Sequence, residues 1–266
     1  MRRAGALAIG ATALAASFAV GVAVELKPDG LVAVPAGLYM PFLRVKALNA
    51  SNADATTARR VDAFGLDAEP VTNAQFLGFV TAHPQWRKSR IKALFADDRY
   101  LRRWPSDLEL ADAAARVEPV TNVSWFAAQA YCKARGLRLP TTEQWEYALA
   151  DDGRDRQAVR SRSLDWFSRP NGERPASVGA GPPNGFGLSD MVGLVWEWTL
   201  DFAAYARTGE SRDSDGKDSS NFCGGAAAGV ADPTDYPAFM RYSMRASLKA
   251  NYTADSLGFR CAGDAP

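Results

Sequence analysis

The chain has 266 residues, 47% of them hydrophobic, and a formal net charge of +1, so its charge gives no reason to expect nucleic acid or an anionic membrane as a partner. Its length fits one large domain, and seven Trp with 22 Gly favour a loop-rich, aromatic-packed domain over a helix bundle. Because His83 is the only histidine, any Ser-His-Asp or Cys-His catalytic arrangement would depend on that one residue.

The amino terminus predicts export. Arg2 and Arg3 precede an almost uninterrupted apolar run over residues 4–24. A basic start followed by an apolar stretch is typical of a signal peptide, and residues 21–23 (GVA) form a small-residue cleavage site. The run of about twenty residues is also long enough to span a bilayer if it stays uncleaved. We therefore expect residues 1–24 to be a signal peptide or N-terminal anchor, and residues 25–266 to form a single exported, periplasmic domain.

Three helix starts follow in chain order. Thr72 and Gln75 have the spacing of a capping box, and Ser124 can cap a second helix whose apolar side includes Tyr131 and Cys132. The run PTTEQ at 140–144 begins a third. The pentapeptide EPVTN precedes the first two, at 69–73 and 118–122, and predicts two similar strand-to-helix turns.

Short strands are expected at residues 31–34 and 258–262. The predicted strands and the three predicted helices do not alternate in the order of βαβ units. The pattern therefore predicts an α+β fold with many irregular connections.

Ordered sequence blocks carry a family resemblance. Residues 32–37 read VAVPAG, 123–132 read VSWFAAQAYC, 138–148 read RLPTTEQWEYA, 184–198 read NGFGLSDMVGLVWEW, and 257–261 read LGFRC. In this order and spacing they resemble the formylglycine-generating-enzyme, or sulfatase-modifying-factor, family. The resemblance covers nearly all of the mature chain and implies a compact, loop-rich fold related to C-type lectins. Members of similar sequence include pyoverdine-maturation and nitrite-reductase-associated accessory proteins, so the resemblance does not by itself imply oxidase activity.

The same comparison implies that the reactive cysteine pair is missing. The family's oxidases carry GGSWxC, then YC and two arginines, and hold copper between the two thiols. Here Gly229 falls at the first cysteine and Pro237 at the second, directly after Tyr236. The resemblance therefore implies that the copper site of the oxidases is absent.

The three cysteines allow one internal disulfide. Cys132 and Cys261 fall where secreted relatives have a structural bridge, so the resemblance implies that these two are bonded. Cys223 is then the odd thiol. It is either a small buried apolar residue or a participant in redox chemistry or soft-metal binding near the groove.

Glu197 corresponds to a calcium ligand of the family, but Leu194 stands where a second ligand, an Asn, would be. Calcium prefers six to eight oxygens, so Glu197 is either part of a weakened calcium site or an acceptor of hydrogen bonds from Arg or backbone groups. For Arg245 and Arg260 we expect buried structural pairing, with a ligand-facing role for Arg245 as the alternative.

Three functions remain open: an exported accessory factor that recognises a peptide or periplasmic, metal-containing partner enzyme; an oxidase of a peptide or small metabolite with another mechanism; and a lectin-like binding module. In each case we expect the site in a groove near the carboxyl end. The candidate groove residues are Cys223, Gly224, Gly225, Ala226, Ala227, Tyr236, Phe239, Arg241 and Arg245. Calcium is the one cofactor under consideration, and a membrane would be contacted only through an uncleaved N-terminal segment.

Overall fold

The computed structural model describes residues 30–40, 58–150, 156–169, 174–203 and 235–266. The predicted signal or anchor segment lies outside these ranges, as do five candidate groove residues, Cys223 to Ala227. Helices and short strands are mixed within the described part, which confirms the α+β prediction. The relation to C-type lectins stays a prediction.

Five α-helices lie in the described ranges, at Asn73–Ala82 (α1), Trp125–Ala134 (α2), Thr142–Ala150 (α3), Arg156–Phe167 (α4) and Tyr236–Ser247 (α5). The three predicted starts are confirmed. Thr72 and Gln75 form both hydrogen bonds of a capping box. The Ser124 hydroxyl accepts from the backbone N–H of Ala127, and Thr141 and Gln144 exchange hydrogen bonds at the start of α3. These caps satisfy the amides that a helix start leaves free.

The strands are short. They are Leu31–Val34 (β1), Gly37–Tyr39 (β2), Arg59–Val61 (β3), Phe64–Asp67 (β4), Trp196–Glu197 (β5), Leu257–Gly258 (β6) and Ala262–Asp264 (β7). The order β1-β4-β7 forms an antiparallel sheet, β2 pairs with β3, and β5 pairs with β6 in parallel.

The predicted single strand at 258–262 is wrong, although β1 is confirmed at its predicted bounds. Gly258 pairs with Glu197 in one sheet, whereas Ala262 pairs with Leu66 in another. Between them the carbonyl of Phe259 accepts from the N–H of Val71. The chain changes sheets here, so one continuous ladder cannot form.

The two EPVTN segments lie side by side. Val120 donates its N–H to the carbonyl of Val71 at 2.8 Å, and Asn73 donates to Glu118 at 2.9 Å. Asn73 also donates its side-chain amide to the carbonyls of Glu118 and Pro119 in the second segment and accepts from the Trp104 indole at 2.8 Å. The repeated sequence therefore forms an antiparallel contact from which the chain turns into α1 and towards α2.

A disulfide joins Cys132 on α2 to Cys261, with Cα atoms 5.5 Å apart, which confirms the predicted pairing. Asp67 reinforces the same junction. Its carboxylate accepts two hydrogen bonds from Arg135, at 2.7 and 2.9 Å, and one from the N–H of Cys261. The end of α2, strand β4 and the last strand are thus fixed to one another by covalent and ionic contacts.

The core has two clusters. The larger centres on the aromatic rings of Phe76, Tyr131 and Phe259, whose centroids lie 5.3–6.1 Å apart. The smaller lies against β1 and β4 and includes Trp145 and Leu149 of α3. No helix within the described ranges is long and apolar enough to cross a membrane.

Candidate recognition site at the last helix

Helix α5 contains the four candidate groove residues that the structure describes. Asp235 caps it by accepting from the N–H of Ala238, and Pro237 lies in the first turn, where a missing N–H costs nothing. Ala238, Arg241 and Arg245 are buried at spacings of three and four, so one stripe of the helix faces inward. Two of the three residues named in this stripe are arginines, whereas the inward stripe of most helices is apolar.

A buried ion cluster explains the charged stripe. Glu146 of α3 is 4% exposed and lies opposite Arg241 and Arg245, which are 8% and 6% exposed. Arg241 donates to both carboxylate oxygens at 2.8–3.1 Å, and Arg245 Nη1 donates to Oε1 at 2.5 Å. Two guanidiniums therefore share one carboxylate, and α5 is held to α3 by charge.

Burial and the neighbouring charges act in opposite directions on the pKa values of Glu146 and Arg241. Burial by itself raises the pKa of Glu146, but Arg241 and Arg245 outweigh it and hold that pKa below its ordinary value. Burial likewise lowers the pKa of Arg241, and Glu146 more than offsets this. Glu146 and Arg241 are therefore both charged at neutral pH. The guanidinium of Arg245 also lies 4.7 Å from the ring centroid of Trp145.

A second buried ion pair lies beside the first. Arg260 donates to both oxygens of Glu197 at 2.8 and 2.9 Å, and the Trp145 indole donates to Oε2 at 2.7 Å. The remaining Arg260 donors reach the carbonyls of Asp67, Ala68 and Ser189. The predicted structural pairing of Arg260 is therefore confirmed.

Glu197 accepts hydrogen bonds from Arg260, as the second of its two expected roles requires, and also from Trp145, while calcium binding stays a prediction. Both of its oxygens already accept hydrogen bonds, so a calcium ion there would have to displace Arg260. Among the described residues no group of three or more His, Cys, Asp or Glu side chains is placed to hold a metal ion. We derive no chemistry from calcium.

A small cavity is lined by residues of both ion clusters. Its volume is about 10 Å³, close to what one water molecule needs. Apolar side chains form most of its wall, with Glu197, Arg241 and Arg245 among them.

Aromatic rings cover the outer side of this cavity. Phe167 stacks on Trp196 at 5.4 Å with an interplanar angle of 14°, and Trp166 lies 4.5 Å from the same indole. Tyr236 meets Phe167 edge-on at 6.5 Å and stacks with Phe239. Tyr236 is 50% exposed, so this row of rings ends at the surface.

The comparison with known proteins decides the family. Residues 19–265 match the family model described as a sulfatase-modifying factor enzyme 1-like domain. The chain belongs to this family. The resemblance based on the sequence blocks is thereby confirmed.

Named relatives agree. The formylglycine-generating enzyme of Bos taurus is 26% identical over 296 residues, which cover 89% of this chain and 75% of the bovine protein. The inactive C-alpha-formylglycine-generating enzyme 2 of the same species is 35% identical over 169 residues, covering 55% of this chain and 50% of that protein. This chain thus spans only half of that second relative. Among solved structures, PvdO from Pseudomonas aeruginosa is 18% identical with a TM-score of 0.47, covering 88% of this chain and 94% of PvdO.

Within this family scaffold, the described groove candidates divide into two groups. Tyr236 and Phe239 lie on the outer side of α5, where a partner could touch them. Arg241 and Arg245 lie on the inner side, paired with Glu146. The guanidiniums therefore position the helix and present no charge at the surface.

Sequence reasoning missed Glu146 and the rings of Trp166 and Phe167. Glu146 stands between Trp145 and Tyr147 in the run WEYA. A charged residue between two aromatic residues is the one sequence signal that indicates a buried partner for Glu146. His83 has a structural role: its Nδ1 lies 3.0 Å from the carbonyl of Phe79, and its ring stacks on that side chain at 4.7 Å.

Proposed function

We propose that this protein is a family member without the two-thiol copper chemistry, which recognises a peptide or partner protein at the groove beside α5. The observation that carries the proposal is the thiol count. The chain has three cysteines, and Cys132 and Cys261 are bonded to each other. Cys223 is the one thiol left, and a copper site built from two thiolates of this chain needs two.

The start of α5 supports the same conclusion. Pro237 directly follows Tyr236, at the position of the oxidases' second cysteine, and it is buried in the first turn of the helix. A proline side chain offers no ligand atom. The residues present therefore do not fit the copper site that the family implies, and we derive no step through copper.

The remaining scaffold is suited to binding. Two buried ion pairs and the disulfide hold α5, α3 and the last strand in fixed positions, so the outer face of α5 is rigid before any partner arrives. Pre-organised surfaces bind more tightly because less conformational entropy is lost on association. Tyr236 and Phe239 are of the residue types that often anchor interfaces.

One relative provides a precedent. The bovine protein that is 35% identical over 55% of this chain is named an inactive C-alpha-formylglycine-generating enzyme. Loss of the activity together with retention of the scaffold therefore has a parallel in the family. The proposed role is that of an accessory or maturation factor for a periplasmic enzyme. The alternatives are an oxidase with another mechanism and a lectin-like binding module.

Export is part of the proposal. The apolar run over residues 4–24 has the composition of an export signal, and a disulfide is typical of proteins that fold in an oxidising compartment. Both features favour a periplasmic location.

Thiol labelling and partner capture test the proposal together. Protein purified from the periplasm should yield one labelled thiol per chain before reduction, and titration with copper(I) should show no tight site that depends on Cys223. Co-purification with mass spectrometry should recover one partner enzyme with the wild type and lose it with Tyr236→Ala. A tight copper(I) site abolished by Cys223→Ser, or recovery of the partner unchanged by Tyr236→Ala, would contradict the proposal.

A further inference from the structure

One exposed surface combines apolar tips with positive charge, and neither the ion clusters nor the groove explains it. It consists of Arg90, Lys92, Leu94, Arg99, Lys249 and Tyr252, and we call it the basic patch. Leu94 is 73% exposed, more than any other large hydrophobic residue in the described ranges. Tyr252 is 39% exposed.

Charge is concentrated in this part of the chain. Residues 87–103 contain seven Arg or Lys and two Asp, an excess of five positive charges, whereas the whole chain has an excess of one. The rest of the protein is therefore net negative. The overall net charge therefore conceals a strongly positive segment.

The exposed cations of the patch make no close ion pairs within the described ranges, although Arg90 interacts electrostatically with Asp107. Arg90, Lys92, Arg99 and Lys249 make no ion pair within 4.0 Å to a carboxylate of the described part of the chain. Other cations of the segment do have structural partners, since Arg87 donates to carbonyls at the end of α1 and Lys88 donates to Trp104.

Contacts of neighbouring residues anchor the two segments that carry Leu94 and Tyr252. Phe95, next to Leu94, contacts Trp86 at 5.9 Å and Phe126 at 5.4 Å between ring centroids. Asp97 joins this loop to the segment of Tyr252: its N–H donates to the carbonyl of Asn251 at 2.8 Å, and its carboxylate accepts from Thr253. The loop is thus fixed to the segment that follows α5.

We infer that the basic patch is a docking surface for an acidic polypeptide segment of the partner protein. The inference rests on the proposed function, because the occupant is a segment of the partner protein proposed there. Lys249 lies two residues beyond the end of α5. Cations without a close ion pair, around two exposed apolar side chains, complement carboxylates that flank an apolar side chain. Such charge complementarity raises the rate of association and selects the partner. Because the proposed function calls for a protein partner, we favour a polypeptide over a lipid surface.

Fluorescence anisotropy with a defined probe tests the inference. The probe is a short labelled peptide in which Asp and Glu alternate with Leu, and the matched peptide carries Ser in place of each acid. The full-length protein should bind the acidic probe, and salt should weaken this binding because it screens exposed charges. Arg90→Glu with Lys92→Glu should raise Kd about tenfold or more. Leu94→Ser should raise it as well.

Matched variants separate the patch from general charge effects. Arg60→Glu with Lys133→Glu makes the same change in net charge at exposed positions elsewhere, and Leu38→Ser changes a leucine that is 70% exposed on β2. Both should bind the probe like the wild type. Equal losses in patch and control variants would overturn the inference.

Two further outcomes are decisive. Binding to vesicles that contain phosphatidylglycerol, without binding to the peptide, would overturn the inference in favour of a membrane. Copper-dependent peptide oxidation would contradict the proposed function and leave the patch result unchanged, so the two failures are distinguishable.

Discussion

Replacement of Glu146 by Gln tests whether the buried ion cluster holds α5 in place. The change keeps the shape of the side chain and removes the single negative charge shared by Arg241 and Arg245. Four hydrogen bonds between charged groups, at 2.5–3.1 Å, lose their ionic character, and two buried guanidiniums lose their counter-ion. Removing one partner of a buried ion pair typically costs about 3–5 kcal/mol. Since domains of this kind are stable by about 5–15 kcal/mol, the loss would be a large share.

Urea unfolding measures the effect. The midpoint concentration should fall strongly for Glu146→Gln, while the slope, which reflects the surface exposed on unfolding, should stay the same. Asp62→Asn is the matched control, because Asp62 pairs with Arg60 at 3.3 Å on the surface, with both side chains largely exposed. It should leave the midpoint unchanged. A loss below about 1 kcal/mol for Glu146→Gln, comparable to a surface pair, would refute the reasoning.

The same residue predicts a pH dependence. The folded pKa of Glu146 lies below its ordinary value, so its contribution is complete above the pKa of the unfolded chain, about 4.3, and is lost as pH falls towards the folded pKa. The stability difference between wild type and Glu146→Gln should be constant at neutral pH and shrink below about pH 4. A constant difference throughout acidification would show that Glu146 is not the titrating group.

Three further changes have defined outcomes. Cys132→Ser opens a loop with a sequence separation of 129 residues and should lower the free energy of unfolding by about 2–5 kcal/mol, measured against wild type with and without reductant. Gly258→Ala should destabilise the protein by about 1–3 kcal/mol, because a Cβ there would lie 2.7 Å from the carbonyl oxygen of Val120. Gly78→Ala in α1 is the control. Its Cβ would meet nothing within 4 Å, so it should stabilise the protein by about 0.5–1 kcal/mol. Ser124→Ala should cost about 1 kcal/mol in thermal unfolding through loss of the cap on α2.

Local signals predicted the first half of the fold well. Capping residues at Thr72 and Ser124 act within one turn of chain, so their effect can be read from spacing alone. Helix α4 was missed because its sequence has no clear apolar stripe. It packs through Trp166 and Phe167 against Trp196, a contact that no local pattern reveals.

The site was predicted less well, for a physical reason. Arg241 and Arg245 have the spacing of one helix face, but charge on a helix normally faces solvent. Their burial depends on Glu146, about a hundred residues earlier in the chain. A pair this distant in sequence has no local signature, and the same holds for the contact between Asp97 and Thr253 that fixes the basic patch.

The mass of a peptide with the sulfatase-type motif CxPxR, after incubation with the purified protein and copper under oxygen, shows whether the protein oxidises a substrate cysteine. The peptide should stay unchanged, with its cysteine thiol intact, because Cys223 is the single thiol left outside the disulfide. Copper-dependent conversion of that thiol to an aldehyde would contradict the absence of the copper site and place the protein with the family's oxidases.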